Sequence, residues 1–266
     1  MDSGQAPSHS CQGKVTVSHL EDIITGALVR REGLQIYLEL QHDSRRRIVG
    51  LAAKAALTHP EVGALCHSTF APIVESLGLA RLVFLRSIAR VAVLQQGIRR
   101  DGRRVPCSIP VPSEVLLDAT LLQRLGGGLA ASDQSSPRMR LCIFGPLSER
   151  MLDGIGAARA SGFDVAIRVD ALEAFLGLRV MQEFQGHVIV SRARVVAAKA
   201  SSEAMARLRS RLCEVAAMGG QVIATGIGSK QSLLDAAALG IKVLQGNYVA
   251  VPADIARALS AANAHL

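Results

Sequence analysis

Three groups of residues in this sequence have side chains that could do chemistry: cysteines and histidines, a few acids, and two runs of arginine. The five cysteines, Cys11, Cys66, Cys107, Cys142 and Cys213, lie far apart and form no CxxC pair. A zinc ribbon or a thioredoxin-like motif is therefore unsupported. Reduced thiols, several of them buried as small apolar groups, are the expectation. The seven histidines, at positions 9, 19, 42, 59, 67, 187 and 264, show no HExxH or other paired spacing. They read as solvated or capping groups. No GxSxG elbow is present, so a serine-hydrolase triad lacks its nucleophile turn. Gly126-Gly127-Gly128 is followed by Leu129 and lacks the Lys-Ser/Thr of a phosphate-binding loop, which makes it a connector. Arg45-Arg46-Arg47 and the Arg99–Arg104 cluster could meet phosphates or an acidic surface. Grooves for single-stranded nucleic acid also need stacking rings. This chain has six Phe, two Tyr and no Trp, and no DNA-reading pattern is evident. Solvated loops are the reading, and a nucleic-acid role is disfavoured.

Composition sets the frame for these residues. The 266 residues are 49% hydrophobic and 20% charged, with a net charge of +8. A disordered chain would be poorer in apolar groups and richer in charge. The most apolar stretch, Leu77–Leu94, is interrupted by Arg81, Arg86 and Arg90, and no run approaches the ~20 residues of a membrane span. The polar start, Met1–Gly13, lacks the basic and apolar regions of a secretion signal. The expectation is a cytoplasmic protein with no membrane contact.

Residues 1–16 read as a flexible tail before a single domain over 17–266. Ser18-His19-Leu20-Glu21 has the form of a capping box opening a helix to about Arg31. Gly33 stops it. Leu34–Gln41 and Arg47–Ala53 read as a hairpin across a His42-Asp43-Ser44 turn. Alternation follows. Helices fit Thr69–Leu77, Leu79–Ile98, Ser113–Leu125, Ser148–Ala160, Ala171–Leu178, Ser202–Met218, Ser229–Leu239 and Ala253–Ala262. Strands fit Val105–Val111, Arg138–Ile143, Asp164–Val169, Val188–Ser191, Gln221–Ile227 and Val243–Leu244. Strands alternating with helices imply parallel pairing through crossovers. About eight strands, several almost wholly apolar, imply a closed barrel with its site at the C-terminal strand ends. Glu39, Asp43 and Asp170 are the acids expected nearest that mouth.

The segment Gly219–Ser229, the helix to Gly240, then Val243-Leu244-Gln245-Gly246-Asn247-Tyr248 and Pro252 resemble the ending of EAL-domain proteins, the bacterial phosphodiesterases of cyclic di-GMP. The order from Leu20 to Leu57 resembles the start of that family. The resemblance implies an α/β fold, a modified TIM (β/α)8 barrel with an antiparallel first strand. It also implies divalent cations that activate a water, and such hard cations need oxygen ligands.

Position by position, the ligands are replaced. The family's EAL tripeptide falls on Ala52-Ala53-Lys54, and its phosphate-binding Arg on Ala56. Its Asn falls on Pro110 and the Glu of its TE pair on Gly145. Its paired aspartates fall on Arg168 and Val169, with Asp170 beside them. Its KID triplet falls on Ile189-Val190-Ser191, and the glutamates of AEGVE on Thr225 and Gly228. Only Gln245 and Gly246 remain, as vestigial binding candidates. No catalytic residue, metal ligand or cofactor is therefore expected. The resemblance points to a degenerate member, a regulatory protein–protein interaction module that does not hydrolyse cyclic di-GMP. Its partner would be a protein, acidic or a transcription or motility regulator, and homodimerisation is also implied. The alternatives are a non-hydrolysing receptor for cyclic di-GMP or another nucleotide, and a phosphodiesterase with relocated catalytic residues.

Overall fold

The computed structural model describes residues 17–30, 32–65, 67–95, 99–100, 103–131, 139–170 and 186–250. The tail at 1–16 and the helices expected at Ala171–Leu178 and Ala253–Ala262 fall outside them. Helix α1 (Val17–Arg30) buries Ile23, Ile24, Ala27 and Leu28, a stripe at helical spacing. Ser18 lies inside α1 and not before it, so the expected capping box is not its start. Gly33 then turns the chain at φ +69°, where an added Cβ would sit 2.3 Å from the Thr58 carbonyl. Strands β1 (Leu34–His42) and β2 (Ile48–His59) form the hairpin, with Leu38 opposite Ala53. Its turn is organised by Asp43, whose carboxylate accepts from the backbone N–H groups of Arg45 and Arg47, both at 2.9 Å. The Arg47 guanidinium closes on the other oxygen at 2.7 Å. Partial burial works against the ionised carboxyl, but the Arg47 and Arg45 amides and the Arg47 charge outweigh it and hold Asp43 below its ordinary range.

The chain continues through β3 (Gly63–Leu65), α2 (His67–Ser76), α3 (Ala80–Gln95) and a small ribbon of β4 (Arg99–Arg100) and β5 (Arg103–Arg104). Next come β6 (Cys107–Pro110), α4 (Ser113–Leu116), α5 (Ala119–Ala131), β7 (Met139–Ile143), α6 (Glu149–Ala160), β8 (Asp164–Arg168) and β9 (His187–Ser191). The described part closes with α7 (Arg192–Ala198), α8 (Ser202–Ala217), β10 (Val222–Thr225), α9 (Lys230–Ala238) and β11 (Val243–Gln245). Eight strands close on themselves in the order β1-β11-β10-β9-β8-β7-β6-β2, with β1 also pairing β2. β1 is antiparallel to both neighbours, and the other barrel pairings are parallel. This is the modified TIM barrel expected from the resemblance.

Barrel strands face apolar surroundings on both sides, which explains their near-continuous apolar runs. All five residues of β7 are buried. Most of the core lies between strands and helices, while Cys142, Ala166 and Ile189 form a separate small cluster. Register pairs Cys142 with Ala166, and the inward row continues through Arg168, Ile189 and Ile223.

Two expectations fail here. The helix expected over Ser113–Leu125 is broken into α4 and α5 by Leu117 and Asp118, and Asp118 Oδ1 accepts the Leu121 N–H at 2.9 Å. Gly126-Gly127-Gly128 is not a connector, because α5 runs through it to Ala131. Gly126 is there for contact: an added Cβ would lie 2.1 Å from the Ser161 carbonyl at the end of α6. Gly127 and Gly128 have nothing within 4 Å of theirs. Gly127→Ala should therefore stabilise the protein by ~0.5–1 kcal/mol through helix propensity, and Gly126→Ala should destabilise it. Urea unfolding monitored at 222 nm reads both signs; equal shifts for the two variants would refute the packing account.

Candidate functional site

The parallel strands direct their C-terminal ends to one mouth, where barrel enzymes keep their sites. A cavity of about 340 Å³ opens there, bounded by β1, β2, β6, β7, β9, β10 and β11. Ala52, Pro110, Ile189 and Thr225, all at positions the resemblance assigns to family ligands, line it. None of the four carries a carboxylate. Arg168 stands at the end of β8 with its Nη2 2.5 Å from Asp170 Oδ2. Ser191, at the Asp position of the KID triplet, caps α7 by accepting the Arg194 N–H at 3.2 Å. Helix α7 itself escaped the sequence reading. It is seven residues long and starts directly from β9, so no linker announces it.

Of the three acids expected at the mouth, two are near it. Glu39 faces inward opposite Ala52 and is 8% exposed. Asp170 follows the end of β8. Asp43 is at the wrong end, because the turn that leads into β2 lies at the N-terminal face of the parallel strands. The antiparallel first strand makes this so: its start reaches the mouth and its end does not.

Glu39 is the centre of a polar chain inside the barrel. Lys54 Nζ donates to its Oε1 at 2.5 Å, and Gln245 Nε2 donates to its Oε2 at 2.5 Å. Gln41 Nε2 in turn donates to Gln245 Oε1 at 2.8 Å. Gln245 is therefore committed to the network that ties β11 to β1. Gly246, at φ +147°, presses on the Ile227 backbone, 2.4 Å from its N as judged by an added Cβ. The sequence reading named Gln245 and Gly246 but missed Glu39–Lys54 as a pair. Their register signal, positions 39 and 54 facing the same way on a hairpin, was available only after the hairpin's register was known.

These donors do not fit a two-metal site. Both Glu39 oxygens are taken and Asp170 is paired with an arginine. Among the described residues, no three His, Cys, Asp or Glu side chains gather where they could hold a metal ion. The buried thiols of Cys107 and Cys142 are inert in character. Burial pushes Cys107 up to about 12, with the neighbouring Cys142 adding to it. Burial pushes Cys142 up to about 11 against the pull of Arg140. Histidines act as acceptors and ion-pair partners: His187 Nδ1 accepts the Gln221 N–H at 2.9 Å, and His19 meets Glu61 at 3.2 Å. Among the described residues, no helix is long and apolar enough to cross a membrane.

Solved structures share this architecture. The EAL enzyme Bd1971, in its cAMP and cyclic-di-GMP bound form, matches with a TM-score of 0.75 at 18% identity, over 95% of this chain and 70% of that one. The PaMucR phosphodiesterase in complex with c-di-GMP matches at 0.74 and 16%, over 90% and 99%. The FimX EAL domain of Xanthomonas citri, in complex with c-diGMP, matches at 0.68 and 15%, over 90% and 94%. No curated protein matches the chain. The EAL domain family profile matches residues 22–252, nearly the whole barrel. The chain belongs to the EAL domain family.

Proposed function

We propose that this EAL-family chain does not hydrolyse cyclic di-GMP and acts as a regulatory module that binds another protein. One observation carries the reading: the mouth positions that would supply metal ligands hold Ala52, Pro110, Gly145, Arg168, Val169, Ile189, Ser191 and Thr225. A phosphodiester attack that relies on metal-activated water has no ligand set there. What is left is a rigid barrel with Arg168 where the resemblance places an acid, and with Arg168 and Lys54 ion-paired to Asp170 and Glu39. With a net charge of +8, its partner is an acidic protein face, drawn by long-range attraction. Exposed apolar side chains beside the mouth, Phe144 at 45% and Tyr248 at 48% exposure, supply contact area.

Similar structures hold the dinucleotide, so a receptor that binds without cleaving is the rival. Gln245, the residue on which that rival depends, already has both ends of its amide engaged inside the barrel. Calorimetric titration with cyclic di-GMP, with and without Mg²⁺, separates the two. The expected result is no heat beyond dilution from a protein that is folded by circular dichroism. Saturable micromolar heat would replace the interaction module with a receptor.

A further inference from the structure

The loss of acids at the mouth left space as well as altered charge, and the cavity that remains has a definite chemistry. Its floor and walls are apolar: Cys142 is 2% exposed, Ile189 4% and Ile223 1%, with Pro110 and Phe144 above them. Its volume of about 340 Å³ falls at the small end of the ~300–1,000 Å³ typical of small-molecule sites. One side carries the polar chain described above, and that chain determines what can enter.

Within that chain the acceptors of Glu39 and Gln245 are used. Glu39 receives Lys54 and Gln245, and Gln245 receives Gln41. The Gln41 carbonyl is aimed at Gly50, 2.2 Å from where a Cβ would be. Donors remain. The Lys54 ammonium has three N–H groups, and Glu39 takes one. Its side chain is 41% exposed. The Ser108 hydroxyl lines the cavity at 4% exposure and makes no hydrogen bond of good geometry, although it is near enough to the Cys142 thiol to hold it down slightly. A buried hydroxyl without a partner costs free energy that a bound acceptor would recover.

Charge narrows the class further. Lys54 is already neutralised by Glu39. An anionic ligand would set two carboxylates on one ammonium inside an apolar enclosure. A cationic ligand would find both Glu39 oxygens already occupied. We infer that the barrel mouth is a binding site for a compact, neutral, largely apolar molecule bearing one carbonyl acceptor, which Ser108 and Lys54 hydrogen-bond while its apolar body fills the space over Ile189 and Ile223. The inference goes beyond the function proposed above and stands apart from it. Cyclic di-GMP heat in calorimetry would overturn that reading and leave this test untouched.

Three eight-carbon probes that differ only in head group test it: octanamide, octanoate and octylamine, titrated into protein labelled at isoleucine methyls. Octanamide is expected to shift the Ile189 and Ile223 methyls saturably, with the other two binding at least tenfold more weakly. Ser108→Ala should weaken octanamide roughly 2–10-fold, the worth of one hydrogen bond. Ala52→Leu should abolish its effect by filling the cavity, with the Ile23 and Ile155 methyls unmoved as a report of intact folding. If Ala52→Leu does not fold, the head-group ranking and Ser108→Ala still decide. Absence of any octanamide shift, octanoate binding as tightly as the amide, or shifts confined to Ile73 and Ile88 on the outer helices would each overturn the site.

Discussion

Incubated with cyclic di-GMP and either Mg²⁺ or Mn²⁺, the protein is expected to leave the dinucleotide intact. Removing one essential group from a site whose members act together costs ~10⁴–10⁶ in turnover. On the proposed reading the acidic set is replaced as a whole, and the substitutions are not merely neutral. Arg168 puts a cation where the resemblance places an aspartate, and it occupies the adjacent Asp170 at 2.5 Å. Glu39, the other acid near the mouth, is saturated by Lys54 and Gln245. A divalent ion entering the cavity would have to break that pair before gaining the Glu39 carboxylate as a ligand. Reverting one position is therefore not enough. Ala52→Glu adds a single carboxylate directly opposite Glu39 in the hairpin, where like charges repel, and it should remain at background. Chromatographic separation of linear product from substrate, with an active EAL phosphodiesterase run alongside, gives the answer. Turnover by the native chain within a hundredfold of that enzyme would refute the proposal, and recovery by Ala52→Glu alone would show that the remaining positions were never needed.

The barrel was readable because its evidence is local. Strands such as Met139–Ile143 are apolar on both faces, the turn at Asp43 has its own side-chain chemistry, and glycine stops helix α1 at Gly33. Boundaries set by packing were not readable. Gly126-Gly127-Gly128 has the composition of a loop, and only the close approach of Ser161 explains why a helix keeps a glycine there. The mouth divides in the same way. That Ala52, Pro110 and Ile189 cannot hold a metal follows from their side chains alone. That Glu39 is paired with Lys54, or that Asp43 faces the opposite end, depends on register and strand direction, which a one-residue slip would invert. Gln245 looked like a remnant of a binding motif because sequence similarity does not separate a residue kept for a ligand from one kept for the barrel.

Gly246 provides the means to separate those two explanations, because its replacement carries a large expected cost. Two effects add. At φ +147° a residue with a side chain is strained by ~1–3 kcal/mol. Its Cβ would also sit 2.4 Å from the Ile227 N and 2.5 Å from the Ile227 O, so the two backbones must part. They are joined by Ile227 N–H to Gln245 O at 3.1 Å and by Tyr248 N–H to Ile227 O at 2.9 Å, each worth ~0.5–1.5 kcal/mol. The neighbouring Gln245 pairs with Gln41 in the seam that closes the barrel, so the disturbance falls where β11 meets β1. Gly246→Ala is expected to destabilise the fold by on the order of 3 kcal/mol, with a fall of about 1 M or more in the urea midpoint. Gly240→Ala shows what a positive-φ replacement costs where no contact is met. Gly240 sits at φ +75° with nothing within 4 Å of an added Cβ, and its replacement should cost only about 1 kcal/mol. If the two variants lose the same stability, the contact with Ile227 carries no weight, and the retention of Gly246 in this chain would have to be sought in a bound ligand. If Gly246→Ala loses far more, the glycine is retained because the barrel cannot close without it.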